Sequence, residues 1–171
     1  MEERVVLVDK NDCVLGTMAK MEAHQKAVLH RAISVFIFNK KGEWLLQRRA
    51  LSKYHSSGLW SNAACTHPRP NESYIEAAHR RLKEEMGMEC ELTKLFHFIY
   101  KGKLDNELTE HELDHVFVGY SDEIPNFNTE EVYDYKLINF DDLKKEIHEN
   151  PEKYTYWFKH VYENVQKHLI Q

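Results

Sequence analysis

One segment restricts the fold more than any other. Residues 73–86 carry a helix signature at both ends: Ser73 and Glu76 have capping-box spacing, and Gly87 stands at the stop. Between them Ile75, Ala78, Leu82 and Met86 recur at helical spacing and mark one apolar face. A helix apolar on one side needs a surface to lie on, and strand-like runs supply it. Ile33-Ser34-Val35-Phe36-Ile37-Phe38 is β-branched and aromatic, residues 39–42 have turn chemistry, and residues 44–48 return as a hairpin partner. Residues 5–9 read as a strand followed by a turn at 12–16, and 20–30 as a short helix or a loop. Further strands are expected near 92–100, 112–120 and 133–140, a short helix from Asp141 to before Pro151, and an amphipathic helix over 154–169. Residues 51–70, rich in Ser, His, Gly and Pro, read as an ordered loop. The expected fold class is α+β, a mixed β-sheet sandwiched between helices. Only 4 prolines and 6 glycines interrupt the 171 residues and no linker or repeat is visible, so a single domain over 1–171 is expected.

Composition removes several function classes. Hydrophobic residues at 42% and charged residues at 30% exclude disorder and fibrous repeats. A net charge of −5 argues against nucleic acid as a partner, which needs a basic face to displace counterions. No apolar run approaches the roughly 20 residues of a membrane helix, and the acidic start Met1-Glu2-Glu3-Arg4 is unlike a targeting peptide, so no membrane association and a cytoplasmic location are expected. Cys13, Cys65 and Cys90 are odd in number and lack CxxC spacing, which suits a reducing compartment. Cys13 and Cys90 suggest no role.

Three constellations carry chemistry. The polar face of the 73–86 helix belongs to a longer string, Glu72, seven residues, then Arg80-Arg81-Leu82-Lys83-Glu84-Glu85-Met86-Gly87-Met88. Carboxylates along one helix are suited to holding divalent cations. The bland alternative is a solvated face with Glu76–Arg80 and Arg81–Glu85 ion pairs. Upstream, Cys65-Thr66-His67-Pro68 places a thiol two residues before an imidazole, which reads as a thiol acid/base beside a metal-ligating histidine, or as a small hydrophobe beside an incidental one. In Glu110-His111-Glu112-Leu113-Asp114-His115, a strand would put Glu110 and Glu112 on one face, where they could ligate one ion together. The same letters contain the zinc-protease pattern His-Glu-x-x-His, which works only on a helix; in a strand His111 and His115 stand roughly 13 Å apart, so that reading is rejected.

The string containing Glu72, Arg81 and Glu85 resembles the Nudix signature G-x5-E-x7-R-E-U-x-E-E-x-G-U, with Thr66 at the leading glycine and Arg81 replacing a metal-binding glutamate. Taken with Arg48-Arg49-Ala50-Leu51-Ser52-Lys53, Gly58-Leu59-Trp60-Ser61-Asn62, Cys65-Thr66-His67-Pro68 and Glu110-x-Glu112, the chain resembles the type I isopentenyl-diphosphate isomerases, a family on the Nudix fold. The resemblance runs from about residue 5 to 165 and is strongest over 30–87.

That resemblance implies a Nudix-like sheet and an allylic double-bond shift between isopentenyl and dimethylallyl diphosphate in isoprenoid biosynthesis. It implies a first divalent ion, Mn2+ or Zn2+, among His24, His30, His67, Glu110 and Glu112, and a second, Mg2+, between Glu85 and the substrate diphosphate. It implies Cys65 and Glu112 as the acid/base pair with Tyr100 as proton partner of the glutamate. Lys20, Arg49, Lys53 and Arg81 match the diphosphate-binding cations and Trp157 the aromatic lid, while Trp60 belongs to the pocket or to the core. The implied partner is a small-molecule diphosphate, and a monomer or weak dimer is expected. The alternatives are a Nudix hydrolase of a nucleoside diphosphate derivative, which Arg81 and Cys65 argue against, and a catalytically silent binding domain.

Overall fold

Strand β3 (His30–Phe38) organises the molecule because it is apolar on both faces. In the computed structural model, which describes residues 2–170, it lies inside a mixed sheet. Ile33, Val35 and Ile37 point to one side and Phe36 and Phe38 to the other, following the two-residue period of a strand. A strand of this kind is stable only with both faces covered.

Beside β3 runs β8 (Thr109–Tyr120), parallel to it from His30 opposite Glu112 to Phe38 opposite Tyr120, and β7 (Thr93–Lys103) is antiparallel to β8. At the start of β3, β1 (Arg4–Val8) touches it through Leu7 and His30 and carries the edge strand β2 (Val14–Ala19). The expected hairpin from β3 into β4 (Trp44–Arg49) exists only at its turn, where Ile37 meets Leu45 and Phe38 meets Trp44. Beyond that point the strands part. β4 pairs with β9 (Val132–Ile138) and β5 (Trp60–Ser61), while β6 (Ala64–Thr66) fills the place beside β3. The segment expected as one ordered loop over 51–70 therefore contains two short strands, too brief for propensity to reveal and held by their partners.

Helix α1 (Lys20–Lys26) follows β2 directly. Helix α2 (Tyr74–Met86) starts at the Ser73 cap with both capping-box bonds formed and stops at Gly87 in the left-handed conformation. It lays Ala77, Ala78, Leu82 and Met86 on Ile33, Val35, Ile37 and Phe117. Ile75, expected on that face, is exposed, and Ala77 takes its place. Helices α3 (Phe140–Glu149) and α4 (Tyr156–Leu169) cover the opposite side, packing Leu143, Trp157, Phe158 and Val161 on Phe36, Trp44, Leu46 and Val116. Each such large apolar side chain contributes about 1.5–3 kcal/mol by burial. The fold is α+β, a mixed sheet between helices, as expected.

Candidate active site

The register of β3 against β8 puts His30 directly opposite Glu112, and two further histidines close on them. His24 comes from α1 and His67 from just beyond β6; one donor atom from each of His24, His30, His67 and Glu112 lies within 4.8 Å of every other. Ligands about 2.1 Å from a common ion stand roughly 3–4 Å from one another, so the set is close to ligating distance. The tautomers fit as well. His24 Nδ1 lies 2.7 Å from the Lys20 carbonyl and His30 Nδ1 2.8 Å from the Val28 carbonyl, so each ring gives its N–H to the backbone. Their Nε2 lone pairs then turn inward, and both Nε2 atoms are buried without a hydrogen-bond partner. His67 Nε2 is 2.8 Å and His30 Nε2 3.4 Å from Glu112 Oε2. Buried lone pairs converging on a carboxylate repel each other unless a cation stands between them, which is what a divalent ion supplies. Burial holds His24 below its usual range and His67 down to about 4, keeping both rings in the neutral, ligating form.

Glu110 lies outside this cluster of four but is joined to it. The Tyr100 hydroxyl is 2.7 Å from Glu110 Oε1 and 2.9 Å from Glu112 Oε1, and one hydroxyl proton serves only one of them at a time. Burial and the Glu112 charge push Glu110 well above the usual carboxylate range. Against the same burial, the adjoining imidazoles of His30 and His67 hold Glu112 well below it. The pair thus divides into a protonated acid and a carboxylate.

Cys65 opens on the same cavity from β6. Its environment is more defined than the Cys65-Thr66-His67 spacing alone conveys. Asn62 sends its two amide hydrogens to the Val35 and Ala64 carbonyls, at 3.1 and 2.8 Å, which fixes the amide and turns Oδ1 to the thiol at 3.4 Å. Ser34 Oγ lies 3.7 Å from the sulfur and donates to Asp114 Oδ2 at 2.7 Å; Asp114 Oδ1 has no partner. Burial, then the neighbouring Asp114 carboxylate, pushes the Cys65 thiol up, so it rests protonated. Sequence reasoning passed over Ser34 and Asp114. Strand parity is the signal that finds them, since Ser34 shares a face of β3 with His30, and Asp114 a face of β8 with Glu110 and Glu112.

Lys20, Arg49, Lys53 and Arg81 line the other part of the cavity. Lys20 pairs with Glu3 at 3.1 Å; Lys53 and Arg81 both bind Glu131, Arg81 at 3.0 Å, and Arg81 also reaches Glu85 at 3.2 Å. The Arg49 guanidinium lies 5.2 Å over the Trp157 ring. The Nε groups of Arg49 and Arg81 are buried and unpartnered, donors suited to an anion. Glu85 is buried; burial pushes its carboxyl up against the pull of Arg81 and Lys53, and one such carboxylate beside phosphate oxygens suits Mg2+. Of the helix-surface pairs, Arg81–Glu85 forms but Arg80 turns to Glu72 and Glu84, because Glu76 is engaged in the capping box. Trp157 lines the cavity, whereas Trp60 does not: it packs against the core with the Lys136 ammonium 4.4 Å over its ring. His111 and His115 lie on β8 as a strand, not on a helix, with His111 Nδ1 3.1 Å from the Ala27 carbonyl. Glu131 and His55, which also borders the cavity, carry no spacing signal at all.

Comparison with known proteins shows the family and the fold. The NUDIX domain model matches residues 28–158. A protein of Photorhabdus laumondii named isopentenyl-diphosphate Delta-isomerase 2 is 52% identical over 161 residues, covering 94% of this chain and 91% of its own. One of the same name from Aromatoleum aromaticum is 50% identical, covering 92% of this chain and 83% of its own. Among solved structures, DR0079 from Deinococcus radiodurans superposes with a TM-score of 0.71 at 21% identity, over 85% of this chain and 89% of that one. A MutT protein from Methanosarcina mazei gives 0.67 at 21% identity, over 84% and 96%. These two show the fold alone.

Proposed function

The chain belongs to the isopentenyl-diphosphate Delta-isomerase family, built on a NUDIX domain, and from that premise we propose that it interconverts isopentenyl and dimethylallyl diphosphate. The observation that carries the reading is one cavity bordered by Cys65 and Glu112, with four cations at one part and the Trp157 ring beside them.

The reaction adds a proton at the terminal carbon of the double bond and removes one from the carbon next to the diphosphate-bearing methylene. Two acid/base groups are needed, and Cys65 and Glu112 take those roles. Asn62 and Ser34 orient the thiol, and Tyr100 holds Glu112 from behind while sharing a proton with Glu110. Protonation of an unactivated alkene develops positive charge at a tertiary carbon, which the Trp157 ring lining the cavity accommodates. Lys20, Arg49, Lys53 and Arg81 hold the diphosphate. In this reading His24, His30, His67 and Glu112, with Glu110 beside them once deprotonated, would hold Mn2+ or Zn2+, and Glu85 would hold Mg2+. Divalent ions supply charge neutralisation here. Arg81, bound to Glu85 and Glu131, replaces a carboxylate that hydrolysis in this fold requires, which disfavours the hydrolase reading. A single domain over 1–171, acting as a monomer or weak dimer in a reducing cytoplasm, completes the proposal. The unpaired Cys13, Cys65 and Cys90 suit the reducing compartment of that reading.

The test is proton NMR of isopentenyl diphosphate incubated with the protein, Mg2+ and Mn2+ in heavy water. Dimethylallyl diphosphate with deuterium in its new methyl group is expected. Cys65→Ala and Glu112→Gln should each lower the rate by about 10³-fold or more, since a positioned acid or base contributes roughly 10²–10⁴. Release of phosphate from nucleoside diphosphate derivatives, with isopentenyl diphosphate unlabelled, would overturn the proposal.

A further inference from the structure

One titratable side chain at the cavity remains without a part in this account. His55, in the loop between β4 and β5, is 6% exposed and borders the cavity beside Lys20, Arg49 and Trp157. The loop holding it is built with care. Ser56 has the left-handed φ of 52°, which costs a non-glycine residue about 1–2 kcal/mol. That backbone is secured by the tip of the β7–β8 loop, where both Asp105 carboxylate oxygens accept the Ser56 N–H, at 3.1 and 3.2 Å, and Asn106 donates to the Tyr54 carbonyl. A strained residue persists only where its surroundings over-determine it, and these contacts do so at Ser56. The consequence here is the placement of one ring. His55 stands edge-on to Trp157, centroids 6.0 Å apart, and its Nδ1 lies 3.1 Å from Ser56 Oγ, which leaves Nε2 as the ring nitrogen for a ligand in the bordering cavity.

Burial, reinforced by the Arg49 and Lys20 cations and opposed by Asp105, holds the His55 pKa down to about 3, so the ring is neutral. A neutral imidazole carries one N–H, and the Ser56 hydroxyl can give or take a hydrogen bond by rotating. An anion opposite Nε2 therefore selects the tautomer with the proton on Nε2 and the Ser56 hydroxyl donating to Nδ1.

We propose that His55 is a substrate-binding residue whose Nε2–H donates to a diphosphate oxygen, at the junction between the Arg49 and Lys20 cations and the Trp157 wall. The inference rests on the diphosphate reading of this cavity. A neutral donor suits the position because Lys20, Lys53 and Arg81 already require the carboxylates of Glu3 and Glu131 as partners. A fifth fixed charge would require another.

The experiment compares wild type with His55→Phe, which keeps the ring edge against Trp157, and His55→Gln, which keeps a donor near the Nε2 position. KM for isopentenyl diphosphate and Kd for inorganic pyrophosphate, both with Mg2+, are the readouts. Loss of a hydrogen bond to a charged oxygen predicts about a tenfold or larger rise in both for His55→Phe, with the change concentrated in KM rather than kcat and largely restored in His55→Gln. In the wild-type protein, ¹⁵N NMR should show His55 Nε2 carrying the proton once pyrophosphate is bound. Unchanged KM and Kd in His55→Phe, or a Nε2 resonance indifferent to pyrophosphate, would overturn the inference while leaving the isomerase reading intact. A wild-type protein that neither isomerises isopentenyl diphosphate nor binds pyrophosphate would overturn both.

Discussion

At the scale of single residues, Glu131 settles how two of the four cations around the cavity, Lys53 and Arg81, stand side by side. Lys53 and Arg81 both reach its carboxylate, and hydrogen bonds from the two hold it below its usual range despite partial burial. Its backbone is engaged as well, the Ala50 N–H donating to the Glu131 carbonyl at 3.0 Å, so one residue ties the end of β4 to the end of α2. Without that charge the cations would spread before a diphosphate arrived. Glu131→Gln keeps the shape and removes the charge. Two partly exposed ion pairs at about 0.5–1 kcal/mol each predict a roughly 5- to 30-fold rise in KM for isopentenyl diphosphate, with kcat much less affected. Steady-state kinetics decides it, and an unchanged KM would reduce Glu131 to an ordinary surface partner. Nothing in the letters around Glu131 announces this role, because its partners lie 50 and 78 residues away and meet it only through the packing of β9 against β4.

At the scale of elements, what was legible in the sequence was whatever is encoded locally. Gly87 illustrates this and carries a test. It stops α2 with a φ of +63°, and a Cβ there would stand 2.3 Å from the Asn126 carbonyl oxygen. The segment that crowds it also donates Asn128 N–H to the Glu85 carbonyl and leads to Glu131, so the helix end and the Glu131 loop are one joint. Gly87→Ala should cost about 2–3 kcal/mol, or a fall of roughly 5–10 °C in Tm, and raise KM through Glu131. Gly42→Ala, also at positive φ but with open space around the new Cβ, should cost only about 1 kcal/mol. Equal losses in a thermal-melt comparison would show that the Asn126 contact is irrelevant. Helix α2 was readable because its cap, apolar face and glycine stop all lie within fifteen residues of chain. Strand β6 was not, since three residues acquire strand geometry only from β3, and the same lack of local signal hid the early parting of β3 from β4. The implied ligands His24, His30, His67 and Glu112 do converge, but that follows from the parallel β3–β8 register, which sets His30 against Glu112, and from the packing of α1 and the end of β6 on it, none of which a local pattern encodes.

At the scale of the whole molecule, the alternation of β8 separates two polar environments. Glu110, Glu112 and Asp114 face the cavity under α4, while His115 turns to the side covered by α2, stacked on Tyr74 at 3.5 Å and beside His97 at 5.1 Å. Asp12 Oδ2 lies 3.5 Å from its Nε2, and the other charged groups facing it are Lys94 and Arg31. Burial and Lys94 prevail over Asp12 and hold the His115 pKa down to about 4. In the unfolded chain the same imidazole titrates near 6.5. Between these values the unfolded state binds more protons than the folded one, so stability falls as pH drops below 6.5 and levels off only below about 4. The slope approaches at most ~1.4 kcal/mol per pH unit. His115→Phe keeps the stack on Tyr74 and removes the titration, while the histidines and carboxylates of the cavity titrate alike in both proteins and cancel in the difference. The variant should therefore gain on wild type by about 2 kcal/mol between pH 7 and pH 4.5, read from urea midpoints at intermediate pH values. If the two stability curves instead run parallel down to pH 4.5, the imidazole is already protonated in the fold, and Asp12 rather than burial governs it.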